Sequence, residues 1–437
     1  MKRFVVIVLD GFGIGAMDDV ATLRPQDSGA NTALHIFQAL PELALPALTS
    51  LGLGNAILAA NTTLETSPSS LPPALRAAKF CCYGVHRLAH IGADTFWGHQ
   101  ELMGTKPKKG ESGPLLSKLP LIREALEKEG RKVRFYTGEG KNGQAMNVPG
   151  ILIVDEGVTI GDNLETDLGD NYNVTAALDL VPFEAVKKIG RLVRSMVRSS
   201  RVIVFGGQGV GLINLLEAFE SRKGYAGVNA PRSGVYRKGY QVVHLGFGVN
   251  AETQLPKVLN SVKIPAVLIG KVADIVENPG ASGNSGASVS GVDTEEVLSE
   301  TRRVLDSLER GFICTNVQET DLAGHRQDPQ LYGEKLVLAD RGIMGIMEKL
   351  TADDIMVVTA DHGNDPAIGH PQHTREKTPI LVLANGMAPN KQKAPVFLGE
   401  RASLADTGAT AADFFGAPNP ETGSSYLKFL KSQSMIR

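Results

Sequence analysis

Aspartate and histidine side chains that could bind a divalent cation are concentrated at three places in the sequence. They are Asp10, then Asp321 and His325 in the segment 320–325, and finally Asp361, His362 and His373. Carboxylate oxygens mixed with imidazole nitrogens suit a divalent first-row metal ion, and this number of side chains is enough for two ions with open positions for phosphate. Each residue alone has an ordinary explanation as a turn, cap or surface residue. An Asp-His pair directly after an apolar strand is different, because burying two ionisable groups is costly without a positively charged partner.

Two apolar runs would carry these residues. Residues 4–9 end at Asp10, and residues 355–360 end at Asp361. Short continuous apolar runs are typical of strands that are buried on both faces. Ligands of open parallel sheets collect at the carboxyl ends of the strands, so we expect both acids to lie in one crevice.

The remaining pattern predicts an α/β protein of two domains. Strands are predicted at residues 202–205, 241–245, 266–269, 311–316 and 378–383, and helices at 121–130, 183–198, 297–310 and 333–350. Such alternation is typical of α/β folds, and 437 residues exceed what one core usually supports. Residues 104–239 are rich in Gly and Lys, with loop stretches at 105–114 and 138–143. We therefore predict a core from residues 1–104 and 240–437 and an inserted cap domain at 105–239.

Composition excludes several classes of function. A net charge of -2 argues against nucleic-acid binding, which leaves small molecules as partners. No run approaches the roughly 20 apolar residues of a membrane span, and residues 4–9 are too short for a signal peptide. Of the three cysteines, Cys81 and Cys82 are adjacent, which rarely suits a disulfide, so we expect a reduced, cytoplasmic protein. Nothing in the sequence indicates the oligomeric state.

A Gly/Ser-rich segment at residues 278–291 has no apolar period. Such composition predicts a flexible surface loop, and a mobile loop near the active site is the alternative.

Six motifs together resemble the phosphopentomutase pattern of the alkaline phosphatase superfamily. In order they are DGFGIGA (10–16), DTFWGHQE (94–101), GKVADI (270–275), DLAGH (321–325), ADHGND (360–365) and HTRE (373–376). They frame nearly the whole chain. The resemblance implies an alkaline-phosphatase-like core with a mainly parallel sheet flanked by helices, a smaller α/β cap, and two manganese ions. The same ligand types also accept Mg²⁺ or Zn²⁺.

Carried over by residue, the resemblance implies two sets of metal ligands and a nucleophile. The first set is Asp10, Asp361 and His362, the second is Asp321, His325 and His373, and Thr95 between them is the phosphorylated residue. A free hydroxyl is a poor nucleophile at neutral pH, and a nearby divalent cation lowers its pKa. The alternative for Thr95 is a helix N-cap, which is compatible with its role as nucleophile because helix N-termini favour phosphate. His370 is an alternative to His373, although the motif that follows His373 favours the latter.

The cap departs from the family pattern. At residues 204–209 the sequence VFGGQG has no arginine where the family has Arg-Pro-Phe, and residues 229–238 lack the family's His-Asp pair. The candidate substrate-binding residues of the cap are Asp155, Arg232 and Lys238. The alternative for Asp155 is a polar turn between strands. Residues 24–32 either line the pocket or form a solvated turn before a helix that begins at Ala33.

The expected function is movement of a phosphate within a pentose phosphate or related phosphosugar, of the ribose 1-phosphate to ribose 5-phosphate type, through a phosphothreonine. Such an enzyme is an isomerase. Two alternatives remain open: a phosphomonoesterase with the same metal pair, in which water discharges the phosphothreonine, and a non-catalytic relative that binds metal or phosphate.

Overall fold

The computed structural model describes residues 1–61, 71–76, 78–138, 148–165, 168–282, 286–384, 394–433 and 435. The chain divides into two compact units. The core unit comprises Met1–Pro107 and Asn250–Arg437, and the inserted unit comprises Lys108–Val249. Among the described residues, no helix has the length and apolar character needed to cross a membrane.

The core unit contains one large sheet and the helices that cover it. Its strands are β1 (Lys2–Leu9), β2 (Cys82–His86), β11 (Ala266–Ile269), β12 (Gly286–Val289), β13 (Arg310–Val317), β14 (Ile355–Thr359), β15 (Thr378–Ala384) and β16 (Val396–Arg401). Its helices are α1 (Val20–Leu23), α2 (Thr32–Ala39), α3 (Pro46–Leu51), α4 (Leu53–Ala60), α5 (Thr95–Leu102), α10 (Leu255–Ser261), α11 (Lys271–Ile275), α12 (Thr294–Ser307), α13 (Glu319–His325), α14 (Pro329–Met347), α15 (Ala405–Phe415) and α16 (Leu427–Ser432).

The strand order of the core sheet is β12-β11-β13-β1-β14-β15-β2-β16. All pairs from β12 to β14 are parallel, whereas β15 runs antiparallel to both of its neighbours. In register, Leu9 of β1 lies opposite Val317 of β13, and Val8 lies opposite Thr359 of β14. The carboxyl ends of these strands therefore meet at one edge of the sheet, as the apolar runs predicted.

The core sheet is buried on both faces. In β1, Val5 and Ile7 belong to one apolar cluster, which includes side chains of α2 to α4, α12 and α14. Phe4 and Val6 belong to a second cluster with side chains of α10, α15 and α16. This double burial explains the unbroken apolar run that identified β1 in the sequence.

The Gly/Ser-rich segment is not simply a loop. Its residues 283–285 lie outside the described residues, but β12 pairs in parallel with β11 at the sheet edge, with Ala266 opposite Gly286. The prediction of a flexible loop was wrong for this part, because an edge strand is held by backbone hydrogen bonds and needs no apolar side-chain pattern.

The inserted unit has its own sheet, with the order β10-β7-β6-β5-β4-β3. Its strands are β3 (Val133–Tyr136), β4 (Ile151–Val154), β5 (Val158–Asp162), β6 (Asn171–Ala177), β7 (Arg201–Gly207), β8 (Phe219–Arg222), β9 (Tyr225–Val228) and β10 (Gln241–Gly246), and its helices are α6 (Leu119–Lys128), α7 (Phe183–Met196), α8 (Leu212–Glu217) and α9 (Ala230–Ser233). The predicted loop at 138–143 lies outside the described residues from 139 onward. The sequence placed residues 240–249 in the core, but β10 pairs with β7, so the insertion extends to Val249.

Candidate metal centre

Four neighbouring parallel strands place polar side chains at one edge of the core sheet. Asp10 directly follows β1, and Asp361 follows β14. Asp321 lies on α13, which follows β13, and Lys271 begins α11 directly after β11. Parallel pairing aligns the ends of these strands, so residues from distant parts of the sequence come together.

The structure brings the proposed metal ligands into two overlapping groups. One group is Asp10, Asp361 and His362, and the other is Asp321, His362 and His373. Within each group the ligand atoms all lie within 4.8 Å of one another. The family resemblance implied that His362 belongs to the first set alone. In the structure its imidazole is close to both sets.

His325, the remaining expected ligand, lies next to the second group. Its Nε2 is 3.0 Å from Nε2 of His373 and 3.4 Å from Oδ2 of Asp321. Asp321 and His325 are four residues apart on α13, which puts both side chains on the same face of the helix.

The histidines share one hydrogen-bonding arrangement. Nδ1 of His325 lies 2.7 Å from the carbonyl oxygen of Pro371, Nδ1 of His373 lies 3.1 Å from that of Ala93, and Nδ1 of His362 lies 3.0 Å from that of Gly363. A carbonyl oxygen can only accept, so each Nδ1 carries a hydrogen, and in the neutral imidazole Nε2 then keeps the lone pair that binds a metal ion. Histidines that bind metal are oriented in this way by their second ring nitrogen.

The buried carboxylates lack enough positive charge among the described side chains. Burial and the negative charge of Asp361 raise the pKa of Asp10 to about 7. Oδ1 of Asp10 and Nε2 of His362 are buried 3.5 Å apart, and neither has a hydrogen-bond partner. Two unsatisfied acceptors that face each other in a buried site are costly unless a cation lies near both. The donor set therefore fits a divalent metal ion.

Thr95 lies beside this cluster at the first position of α5. The side chain of Asp94 caps the helix by accepting a hydrogen bond from the backbone of Trp97. The hydroxyl of Thr95 donates to Oδ2 of Asp361 over 2.7 Å. Helix α5 reaches the Asp361 loop because Gly98 has no side chain: a Cβ atom there would lie 2.5 Å from the backbone oxygen of Asp361. Thr95 thus occupies a helix N-terminus and the edge of the candidate metal centre at once.

Lys271 also belongs to the site, although the motif GKVADI (270–275) predicted no role for it. Its Nζ lies 2.7 Å from Oδ2 of Asp10, 3.2 Å from Oγ1 of Thr95 and 3.5 Å from Oδ2 of Asp321. Burial lowers the pKa of Lys271, but the nearby negative charges outweigh burial and raise the pKa above its ordinary value. Lys271 is therefore a permanent positive charge beside Thr95.

His370 and residues 24–32 were left open by the sequence. Nε2 of His370 lies 3.2 Å from a carboxylate oxygen of Asp27, and His370 belongs to neither ligand group. Arg24 donates to the backbone oxygen of His373 over 2.9 Å, and Asp27 and Thr32 are completely buried. The segment packs against the loop that carries His373, while Pro25, Gln26, Ser28 and Gly29 are exposed, so it is a solvated turn only in part.

The candidate substrate residues of the inserted unit have different surroundings. Asp155 lies in the turn between β4 and β5, and its carboxylate accepts from Arg131 and from the backbone of Lys132. Arg232 pairs with Glu220 over 3.0 Å. The side chain of Lys238 is exposed and makes no ion pair with the residues that the structure describes.

Comparison with known proteins decides the family. The sequence matches the Metalloenzyme superfamily over residues 2–419. The chain belongs to this superfamily. Membership makes it a metal-dependent enzyme, in agreement with the buried carboxylate and imidazole groups. It is also similar to a phosphopentomutase of Anaeromyxobacter dehalogenans (strain 2CP-C), with 28% identity over 98% of this chain and 97% of that protein. A phosphopentomutase of Symbiobacterium thermophilum is 29% identical over 98% of both chains.

Two solved structures resemble the chain at low similarity. One is a phosphoglycerate mutase of Leishmania mexicana, with 12% identity, 97% of both chains covered and a TM-score of 0.39. The other is the PH0037 protein of Pyrococcus horikoshii, with 14% identity, 95% of this chain and 97% of that chain covered, and a TM-score of 0.36. Neither likeness bears on the function of this enzyme.

Proposed function

We propose that this enzyme is a phosphomutase that moves a phosphate within a pentose phosphate or a related phosphosugar, through a phosphothreonine at Thr95. The observation that carries the proposal is the position of the Thr95 hydroxyl. It lies 2.7 Å from Asp361 and 3.2 Å from Lys271, at a helix N-terminus and beside both ligand groups. The names of the full-length phosphopentomutase relatives support the choice of reaction.

The proposed cofactor is a pair of divalent ions, with Mn²⁺ first and Mg²⁺ or Zn²⁺ as alternatives. We assign one ion to Asp10, Asp361 and His362 and the other to Asp321, His325 and His373. When bound, the ions would neutralise charge on the phosphoryl oxygens and make the Thr95 hydroxyl more acidic.

The side chains of this enzyme would handle the proton and the charge. In the first half of the cycle, a sugar hydroxyl attacks the phosphoryl group on Thr95, the bond from phosphorus to Oγ1 breaks, and the hydroxyl proton moves to Oγ1. Asp361 Oδ2 is placed to accept this hydrogen bond, and Lys271 offsets the negative charge that builds on the oxygen. In the second half, Oγ1 attacks the other phosphate of the sugar bisphosphate, and the proton goes to the departing sugar oxygen.

For the sugar phosphate we propose contacts with the inserted unit. Lys238 is the first candidate, because its exposed ammonium has no ion pair with the described residues. Arg232 and Asp155 are weaker candidates, since their charges are already paired with Glu220 and Arg131. The three cysteines are buried thiols outside any disulfide, which supports a reducing, cytoplasmic location.

The test is the fate of ribose 1-phosphate with the manganese-loaded enzyme. We expect conversion to ribose 5-phosphate by the wild type and none by Thr95→Ala. Release of inorganic phosphate would indicate a phosphomonoesterase, and metal binding without turnover would indicate a non-catalytic relative. The matched control is Thr294→Ala, because Thr294 also begins a helix directly after a capping aspartate. Equal turnover by Thr95→Ala and the wild type would remove the proposed nucleophile.

A further inference from the structure

Glu376 is a completely buried carboxylate that the proposed reaction does not use. Among the described residues, no lysine, arginine or histidine forms an ion pair with it. Burial and the charge of Asp365 raise the pKa of Glu376 to about 7. A buried acid without a cation is costly, so its hydrogen bonds must account for its presence.

The Glu376 carboxylate accepts four hydrogen bonds, two at each oxygen. Oε2 accepts from the backbone N–H of Gly15 over 3.2 Å and from that of Thr32 over 2.9 Å. Oε1 accepts from the hydroxyls of Thr32 and Thr374, each over 2.6 Å. Each hydroxyl donates to the carboxylate and also accepts one backbone N–H group, that of Asn364 at Thr32 and that of Asp365 at Thr374.

These contacts lead to the loops that carry the candidate ligands. Gly15 lies in the loop after Asp10, Asn364 and Asp365 follow His362, and Thr374 directly follows His373. The fit is close, since a Cβ atom at Gly13 or Gly363 would lie 2.3 Å from an oxygen of Glu376. One carboxylate therefore holds three ligand-bearing loops, directly or through one hydroxyl.

We propose that Glu376 is a positioning residue of the metal centre, whose carboxylate fixes the loops of Asp10, His362 and His373 at the spacing that binds divalent metal. The inference rests on the metal assignment of the proposed function. It adds a residue that contacts no proposed ligand side chain. Its effect passes through backbone segments of the loops.

Glutamine is a weaker replacement for this carboxylate, because an amide has one acceptor oxygen and one donor NH₂ group. With NH₂ at the Oε2 position, it would face the backbone N–H groups of Gly15 and Thr32, which can only donate. With NH₂ at the Oε1 position, the hydroxyls of Thr32 and Thr374 would have to turn and accept, and their hydrogen bonds to a charged oxygen would become weaker neutral ones. Glu376→Gln should therefore loosen the three loops with little change in side-chain volume.

The experiment measures Mn²⁺ binding by calorimetry to protein stripped of metal with a chelator. We expect the Mn²⁺ dissociation constant of Glu376→Gln to be about 10- to 100-fold higher than that of the wild type. This is the usual effect of changing a residue that orients metal ligands without binding the metal itself. Thr374→Val removes one of the two hydroxyls that donate to Glu376 and keeps the shape of the side chain. It should therefore weaken Mn²⁺ binding less than Glu376→Gln does. That variant decides the question if Glu376→Gln does not fold.

Asp340→Asn is the matched control. Asp340 is a buried carboxylate of the core unit that accepts the backbone N–H groups of Ala47 and Leu48, and these belong to α3, which carries none of the candidate ligands. We expect its Mn²⁺ affinity to equal that of the wild type. If Glu376→Gln bound Mn²⁺ as tightly as the wild type, the inference would be overturned. If Glu376→Gln does not fold, wild-type Mn²⁺ affinity of Thr374→Val would overturn it. If Asp340→Asn lost as much Mn²⁺ affinity as Glu376→Gln, the inference would also be overturned, because general destabilisation would explain both losses. A wild type that binds no Mn²⁺ would instead contradict the proposed function.

Discussion

Lys271 carries the positive charge that the structure places nearest to Thr95. Its Nζ also contacts Asp10, so the lysine links the candidate nucleophile to the first ligand group. A fixed cation at this position would act on charge that develops on the threonine oxygen. The residue is therefore expected to contribute to the rate of phosphoryl transfer more than to the fold.

We predict that Lys271→Met lowers kcat by about 100-fold or more at saturating Mn²⁺, the usual effect of removing one group that stabilises charge in a transition state. Methionine keeps the length of the side chain and removes the charge. The measurement is steady-state turnover of the sugar phosphate. Lys349→Met is the control, because Lys349 pairs with Asp306 at the surface of the core unit. An unchanged kcat for Lys271→Met would contradict the role.

Residue types singled out the Asp and His clusters as possible metal ligands, because an Asp-His pair after an apolar strand is costly to bury, and the family resemblance implied the two ligand sets. Lys271 and Glu376 could not be assigned roles in the same way. A lysine at a helix start and a glutamate after a loop are ordinary in sequence. Their positions follow from strand pairing and from glycines that admit close contact, neither of which is visible as a local pattern.

At the scale of elements, the parallel strands β11, β13, β1 and β14 determine where the site lies. Their apolar runs were recognisable because strands buried on both faces need apolar residues throughout. The strands of the inserted unit were less recognisable: β4 and β5 are short and separated by a turn of three residues. The edge strand β12 carried no apolar pattern at all.

The start of β1 is held by a buried ion pair. Arg3 and Asp354 are 1% and 0% exposed, and Arg3 also donates to the backbone oxygens of Leu305 and Lys349. We predict that Asp354→Ala lowers the free energy of unfolding by about 3–5 kcal/mol, because it leaves a buried guanidinium without its partner. Urea unfolding measures the change.

Asp306→Ala provides the comparison for that variant. Asp306 pairs with Lys349 at the surface, with 61% of its side chain exposed. Exposed pairs contribute roughly 0–1 kcal/mol, so this variant should change the free energy of unfolding far less. If both variants lost similar amounts of unfolding free energy, burial would not determine the strength of the ion pair between Arg3 and Asp354.

At the scale of the whole molecule, all six candidate ligands and Thr95 belong to the core unit, and the inserted unit has a separate apolar core. Length and composition predicted the two units. The predicted end of the inserted unit, at residue 239, differs from the observed end at Val249, because the sequence does not show which sheet β10 joins. This division means that metal should stabilise one unit directly.

We predict that chelation lowers the stability of the core unit and leaves that of the inserted unit nearly unchanged. Without metal, the buried carboxylates of Asp10, Asp321 and Asp361 repel one another. A ligand that binds only the folded state adds about 2.7 kcal/mol at a concentration 100 times its dissociation constant. Hydrogen exchange read by mass spectrometry, with Mn²⁺ and after EDTA treatment, measures each unit separately. Amides of β1 and β14 should lose protection after EDTA treatment, while those of β6 and β7 should keep it. Equal loss in both units would mean that they unfold together, and no loss in either would mean that metal does not bind at the edge of the core sheet.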